Sequence, residues 1–450
     1  EYGITNTSFG IILTLVGLIY GISKLINGII ADRANARWHL VFGLSVCILL
    51  NFIFGWSDRI SSWITGRTEG PDFVNVMVIV MAILLVHSVE HFNFYIYPTD
   101  QPDWLAWLDR SVFCGVFALM AGKSYAIFAL LFGFTFYVQW SNQRRQGRDF
   151  GYRFLWRLLL LVGFASLNSV FFMAGDVLLL FAAVGIILFL VRNCSDKVVL
   201  GLAVLFLLQP VEWFHYAAGA IDPAYRAPDL GVGALFGEAI AYTQQGDFLH
   251  FVRNNLLTGQ KASLFWAIDA GRYIQTAGLF LLGFYFGRRQ LFLGGERNMR
   301  RWFALLVASA VLYAPLNQLS ELVAGDSALQ PTLGTVLDMW QKLAFTFVLV
   351  SSFVLLYHRF EGFRRRVADL RTYGRMSLSN YIGQSILGAL VYYPFGLGLA
   401  TRCGQTVSLL IGIAMLVLQI ACCKWWLKRH RQGPLEWIWH KWTWIGSSAK

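Results

Sequence analysis

Residues 121–148 read "AGKSYAIFALLFGFTFYVQWSNQRRQGR", and the two halves of this stretch decide the fold class. The first half, Ala121 to Gln139, carries one charge, Lys123, and is otherwise dominated by Phe, Leu, Ala and Tyr. At about 1.5 Å per helical residue such a run spans a hydrocarbon core roughly 30 Å thick. The second half brings Arg144, Arg145 and Arg148, and arginines gathered at one end of an apolar run mark the cytosolic side of a membrane helix. The same unit recurs along the chain. Of 450 residues, 57% are hydrophobic and 14% charged, and the mean hydropathy is +0.55, values that exclude an ordinary soluble domain. The expected architecture is all-α: a polytopic transmembrane helical bundle of about twelve spans.

Those spans are expected near 9–30, 38–54, 75–95, 121–139, 155–173, 177–192, 198–216, 264–287, 302–320, 340–357, 376–397 and 405–424. The segment "DWLAWLDRSVFCGVFALM", from Asp103, is amphipathic and suits the membrane interface or a re-entrant course better than a crossing. Residues 217–260 mix Pro, Asp and Gly with apolar turns and read as loop and surface helix outside the membrane.

The formal net charge of +12 could suggest a nucleic-acid partner, but its distribution argues for a lipid bilayer instead. Arginines cluster at 144–153, 288–301 and 359–375, and "KWWLKRHR" opens the tail, whereas the loops around Gly175, Pro223 and Asp326 are poor in Lys and Arg. This alternation is the positive-inside pattern. Counted back from the tail, it places residues 67–72 in the cytosol. The loop "GIIADRANAR" also reads as cytosolic, so span 38–54 breaks the parity. The six cysteines show no C-x-x-C spacing and read as small apolar residues. With neither an initiator Met nor a signal peptide before the first span, the numbered chain is expected to begin inside a longer one.

Two resemblances divide the chain. In "YGISKLINGIIADRANARW", Gly28, Asp32, Arg33 and Arg37 stand at the spacing of the G-x-x-x-D-R-x-x-x-R loop of the major facilitator superfamily. Residues 1–66 thus resemble a two-helix fragment of its organophosphate:phosphate antiporter branch, too short to hold a transport path. From about residue 67 to the tail, the chain resembles the YeiB-like bacterial inner-membrane family, a domain of unknown function. The carriers are "GKSYAIFALLFGFTF" (122–136), "AGDVLLLFAAVG" (174–185), "YGRMSLSNYIGQSI" (373–386) and "GPLEWIW" (433–439), in that order. About ten of the spans fall in this part.

That family is remotely similar to membrane acyltransferases that acylate sugars from a cytosolic donor, including the lysosomal glucosaminide acetyltransferase. The resemblance implies acyl-CoA as a donor and an envelope or small-molecule acceptor. In that wider group an Arg and an acid precede an L-R-G run, with a histidine at the far end of the helix. Arg67, Asp72 and His87 fit this frame, but "FVNVMV" stands where "LRG" is expected, which removes an arginine able to bind donor phosphates.

"VHSVEHF" (86–92) is the sharpest chemical motif. On a helix His87 and His91 share a face with Glu90 beside them, so a zinc pair is geometrically open, but no third ligand is evident and no metal is expected. Read as a catalytic group, His87 is a general base on an acceptor hydroxyl or amine, oriented by Glu90 or His91. Read structurally, the histidines anchor a span end beside the aromatic belt "FNFYIYP".

Polar groups at membrane depth mark further substrate-binding candidates. Lys123 can attract an anion or simply snorkel. Asp176 can line a cavity or cap the helix that follows it. Asn380 and Gln384, with Ser377 and Ser379, suit either recognition or interhelical bonding, and Arg375 suits a phosphorylated donor or the positive-inside bias. Glu212 and His215 can pair on one face. Glu436, after Gly433 and Pro434, favours a helix N-terminus. Three functions stay open: a membrane acyltransferase, a small-solute permease lined by His87, Lys123 and Asp176, and a non-catalytic membrane protein.

Overall fold

The structure, a computed structural model, describes residues 75–94, 98, 101–222, 224–324, 330–368 and 370–445. The expected spans at 9–30 and 38–54, the loop "GIIADRANAR", Arg67 and Asp72 lie outside the described residues, as does the whole 1–66 unit. The chain divides at Gly70 into two units, and every helix named here belongs to Pro71–Lys450.

Among the described residues the chain is helical, with no strand. The order is α1 (Asn75–Val86), continued by a π-helical turn His87–His91, then α2 (Asp103–Met120), α3 (Lys123–Arg145), α4 (Gly151–Ser169), α5 (Val177–Val184), α6 (Ile186–Val191), α7 (Asp196–Leu207) and α8 (Pro210–Ile221). There follow α9 (Val232–Gln244), α10 (Phe248–Asn254), a π turn Asn255–Gly259, α11 (Gln260–Asp269), α12 (Arg272–Arg288) and α13 (Glu296–Ala324). After a π turn Gln330–Gly334 come α14 (Thr335–Arg359), α15 (Glu361–Ala368), α16 (Arg371–Gly374), α17 (Ser377–Tyr392), α18 (Gln405–Leu427) and α19 (Pro434–Thr443).

The centre is the α3–α12 pair, and glycine explains how closely they approach. A Cβ on Gly133 would lie 1.9 Å from the Phe280 carbonyl oxygen, and one on Gly283 would lie 1.8 Å from that of Leu130. The two backbones therefore touch, the close packing that small residues permit between membrane helices. α12 is buried along nearly its whole length, with α7 on its other flank. α1 packs on α3, α17 and α18, while α13 touches mainly α14.

Four stretches among the described residues are long and apolar enough to cross a membrane: Asp103–Arg145, Glu296–Val323, Thr332–Arg359 and Gln405–Leu427. A fifth is counted if α7 and α8, bent by 46°, form one span. The other expected spans within the described residues are shorter or broken, except that α4 is an unbroken 19-residue helix and falls short in apolar character. Run 198–216 breaks at Gln209, whose φ is 57°, just before Pro210. Run 264–287 breaks at Gly271, with φ 63°, into α11 and α12. The surface is apolar where a soluble protein would be polar. Phe303, Val307, Val311, Leu312, Leu319 and Leu322 all point outward from α13, as lipid contact requires.

The arginine-rich loops gather at one end. Arg288 donates to the carbonyls of Arg192 and Cys194, each at 2.6 Å, and pairs with Asp196 at 3.2 Å. Arg153 donates to the Ile445 carbonyl at 2.9 Å. α19 docks on the start of α17 there: Glu436 accepts the Ser379 N–H at 2.9 Å, while Ser379 Oγ accepts the Leu435 N–H at 3.1 Å. Glu436 thus serves the N-terminus of a neighbouring helix. At the opposite end Asp109 of α2 accepts the Thr406 N–H at 2.8 Å, so the middle of α2 caps the start of α18. Residues 217–260 form real helices, α9 and α10, packed with Phe92, Tyr392 and Tyr393 in a second core.

Candidate functional site

The π turn His87–His91 ends α1 with the Phe92 N–H donating to the His87 carbonyl at 2.9 Å. Such widened turns recur where a helix presents side chains for function. His91 is buried, and its Nε2–H donates to the Met173 carbonyl. A carbonyl only accepts, so Nε2 carries the proton. The ring stacks on Phe172, with centroids 4.4 Å apart, and lies against Gly175, where a Cβ would sit 2.8 Å from His91 Cε1.

His87 is half-buried, 4.5 Å from the Phe172 ring and 5.9 Å from the His91 ring. Its Nδ1 is sealed from solvent without a partner among the described residues. Among the described residues neither Glu90 nor His91 hydrogen-bonds His87. His91 is held by Met173, Glu90 faces the charges of Lys342 and Arg272, and aromatic contact is what positions His87. Among the described residues no three His, Cys, Asp or Glu side chains converge as metal ligands.

The loop under the histidines hangs from one amide. Asn255 Nδ2 donates to the carbonyls of Ser169 at 2.6 Å and Phe172 at 2.7 Å, and its Oδ1 accepts from the Ala174 N–H at 3.1 Å and the Tyr242 hydroxyl at 2.8 Å. All four of its hydrogen-bonding sites are used. Sequence reading passed over Asn255. The available signal was Gly259 one turn on, where a Cβ would strike Asn255 Oδ1 at 1.9 Å.

Asp176 caps α5, with Oδ1 accepting the Leu178 N–H at 2.9 Å, and also receives the Tyr381 hydroxyl at 3.4 Å. Its Oδ2 is buried without a partner, as are both amide atoms of Gln384, one turn along α17 from Tyr381. One turn further, Gly388 receives the Phe92 ring; a Cβ there would lie 2.1 Å from Phe92 Cζ. The 381–384–388 face of α17 is thereby turned toward the end of α1 and toward Asp176. Orphaned polar atoms of this kind are rare in folded interiors and call for a partner.

An apolar cavity of about 280 Å³ leads away from this centre. Gln139, Arg157, Ser377 and Trp439 line it toward the arginine-rich end, and Leu178 and Tyr381 line its other end. Arg157 lies over the Trp439 ring at 4.2 Å and donates to Thr443 Oγ1 at 3.3 Å. Tyr381 both walls the cavity and touches Asp176, so the cavity stops one hydrogen bond short of the polar centre.

His87 and His91 are thus neighbours, His91 lies against Gly175 beside Asp176, and Gln384 stands on the α17 face between Tyr381 and Gly388. Glu90 and Lys123 fall instead in a neighbouring charged cluster with Arg272, Lys342 and Asp338. Asn380 is occupied by the Tyr373 carbonyl at 2.9 Å and the Cys423 thiol at 3.2 Å, and Arg375 is exposed and donates to the Arg431 carbonyl. Neither reaches the histidines. His215 bonds the Tyr225 hydroxyl at 2.6 Å rather than Glu212.

Fold and site together define an all-helical membrane protein with a buried polar centre at one end of an apolar cavity. Residues 286–446 match the family described as "Protein of unknown function (DUF418)". The chain is 27% identical over 345 residues to the uncharacterized protein YxaH of Bacillus subtilis (strain 168), covering 72% of this chain and 79% of that one. It is also 27% identical over 404 residues to the uncharacterized protein YeiB of Escherichia coli (strain K12), covering 84% and 96%. Its long C-terminal part resembles the YeiB-like family. The transporter-like fragment has its counterpart in 57 residues that are 39% identical to the membrane sensor protein UhpC of Salmonella typhimurium, 13% of each chain. No solved structure matches the chain.

Proposed function

We propose that residues 67–450 form a membrane-embedded enzyme of acyltransferase type, passing an acyl group from a cytosolic donor such as acyl-CoA to an envelope or small-molecule acceptor. In this reading the protein sits in a bacterial inner membrane, with its arginine-rich end in the cytosol. The chain crosses about twelve times, because short or broken helices can cross where protein encloses them. Residues 1–66 add a transporter-like fragment without a path of its own.

The observation that carries the reading is the apolar cavity, which runs from the arginine-rich end to Tyr381, whose hydroxyl donates to Asp176 beside the histidines. An acyl chain needs such a lining, and the charged remainder of its donor would stay among the arginines. His87, half-buried, takes the proton of the acceptor hydroxyl or amine as the acceptor atom attacks the thioester carbonyl. The C–S bond then breaks, and the departing thiolate takes that proton from His87. In this reading Asp176 Oδ2 accepts from the acceptor hydroxyl or amine, and the Gln384 amide N–H donates to the thioester carbonyl.

Photoreactive acyl-CoA added to membranes tests this directly. Crosslinks at Phe132, Leu158 or Tyr381, lost when Leu158→Trp fills the cavity, support the reading. Labelling confined to the lipid-facing surface, or indifferent to Leu158→Trp, would sink it and leave the permease reading standing.

A further inference from the structure

Arg272 begins α12 at the end opposite the arginine loops, where Lys and Arg are scarce, and it is buried. Its guanidinium lies 5.0 Å from the Tyr125 ring and 5.5 Å from the Trp266 ring. Among the described residues it makes no ion pair and donates no hydrogen bond, and its Nε is sealed from solvent without a partner. A guanidinium taken out of water without an anion is strongly unfavourable, and at membrane depth such a group marks function.

Two more cations stand beside it. Arg272 Nη2 and Lys342 Cδ converge on Gly122, where a Cβ would meet them at 3.3 and 2.9 Å, and Lys123 follows directly in the chain. Lys123 donates to the Phe117 carbonyl at 3.3 Å and, among the described residues, makes no ion pair, while Lys342 is paired with Asp338 at 2.6 Å. The other acid facing the cluster is Glu90, which feels Lys342 and Arg272. Three cations thus stand against two carboxylates, leaving one positive charge over. The Lys342–Asp338 pair is partly exposed, whereas Arg272 and Lys123 are more deeply buried.

We infer that Arg272, Lys123 and Lys342 form a receptor for a singly charged oxyanion, a phosphodiester or carboxylate, on the side of the bundle away from the arginine loops. Its planar fork lets Arg272 engage two oxygens at once, and Lys342 and Lys123 supply point charges around them. Identifying this oxyanion as the handle of the acyl acceptor rests on the acyltransferase reading above; the binding itself does not.

The experiment uses the purified full chain with no acyl donor present. One arm adds inorganic phosphate at mildly acidic pH in neutral detergent, and the other compares nanodiscs of phosphatidylcholine alone with nanodiscs containing phosphatidylglycerol. The expected result is a rise of a few degrees in apparent Tm in at least one arm, abolished in Arg272→Gln and Lys342→Gln and partly kept in Arg272→Lys. Without anion, Arg272→Gln should be no less stable than the wild type, because it removes an uncompensated charge; a purely structural arginine would lower stability in every condition. A response to phosphatidylglycerol alone assigns the oxyanion to a lipid headgroup, and one to phosphate alone assigns it to a soluble molecule. Indifference of the wild type in both arms, or variants that respond like the wild type, would overturn the inference. Binding without any acyl transfer would keep it and sink only the enzymatic reading.

Discussion

Replacing Asn255 by alanine tests how the polar centre is held. The substitution removes four hydrogen bonds at once, leaving the Ser169 and Phe172 carbonyls, the Ala174 N–H and the Tyr242 hydroxyl without this partner in a buried site. At about 1 kcal/mol net for each bond, plus a small term for the space vacated, the loss comes to roughly 3–5 kcal/mol. It falls on the loop that presents the Met173 carbonyl to His91, so the damage should be local before it is global. Hydrogen exchange of the amides at 170–176 measures the local damage, and unfolding in mixed micelles measures the global loss. Asn255→Asp keeps the size but loses both donated bonds and buries a charge, and should fare no better. If Asn255→Ala stays within about 0.5 kcal/mol of the wild type with unchanged exchange, the loop does not hang from this amide.

Gly283→Ala should destabilise by about 2 kcal/mol or more, because the new Cβ would stand 1.8 Å from the Leu130 carbonyl oxygen and the gain in helix propensity is only about 1 kcal/mol; a more stable variant in thermal unfolding would contradict the backbone contact. Gly175→Ala should displace the His91 ring and destabilise by about 1–3 kcal/mol, with loss of the His91–Met173 bond visible in imidazole nitrogen shifts. Burial pushes the Glu436 carboxyl above its ordinary 4.5, against the hydrogen bonds from Ser379 that favour the charged form. A folded-state value raised in this way gives a contribution that is full below about 4.5 and fades as pH rises through the folded value. Glu436→Gln should therefore gain on the wild type across that window, and denaturation curves showing a constant difference would refute it.

What the sequence displays are properties of single helices. The run from Ala121 with its arginines became Lys123–Arg145, and the run from Gln405 became α18, because apolar length and terminal charge are local. The amphipathic segment from Asp103 became a helix whose acid caps another helix. Breaks were harder to see. Pro210 is visible in the sequence, but the left-handed Gln209 before it is not, and Gly271 looks like any membrane glycine until its φ of 63° ends one helix and starts another. The "VHSVEHF" motif announced a polar spot yet not its company, since Asn255, Tyr381 and Gln384 arrive from distant segments through tertiary packing. Arg272 left one readable sign, an arginine inside the expected span 264–287, and only the structure shows it buried at the start of α12.

The most direct measurement follows label from radioactive acetyl-CoA into lipid, polysaccharide and small-molecule fractions of bacterial membranes that carry the full chain, beside membranes that carry His87→Ala at equal abundance. The account predicts label in one of these fractions that depends on the chain, is lost in His87→Ala and is reduced less in His91→Ala. Label that is independent of the chain, or undiminished in His87→Ala, would contradict it.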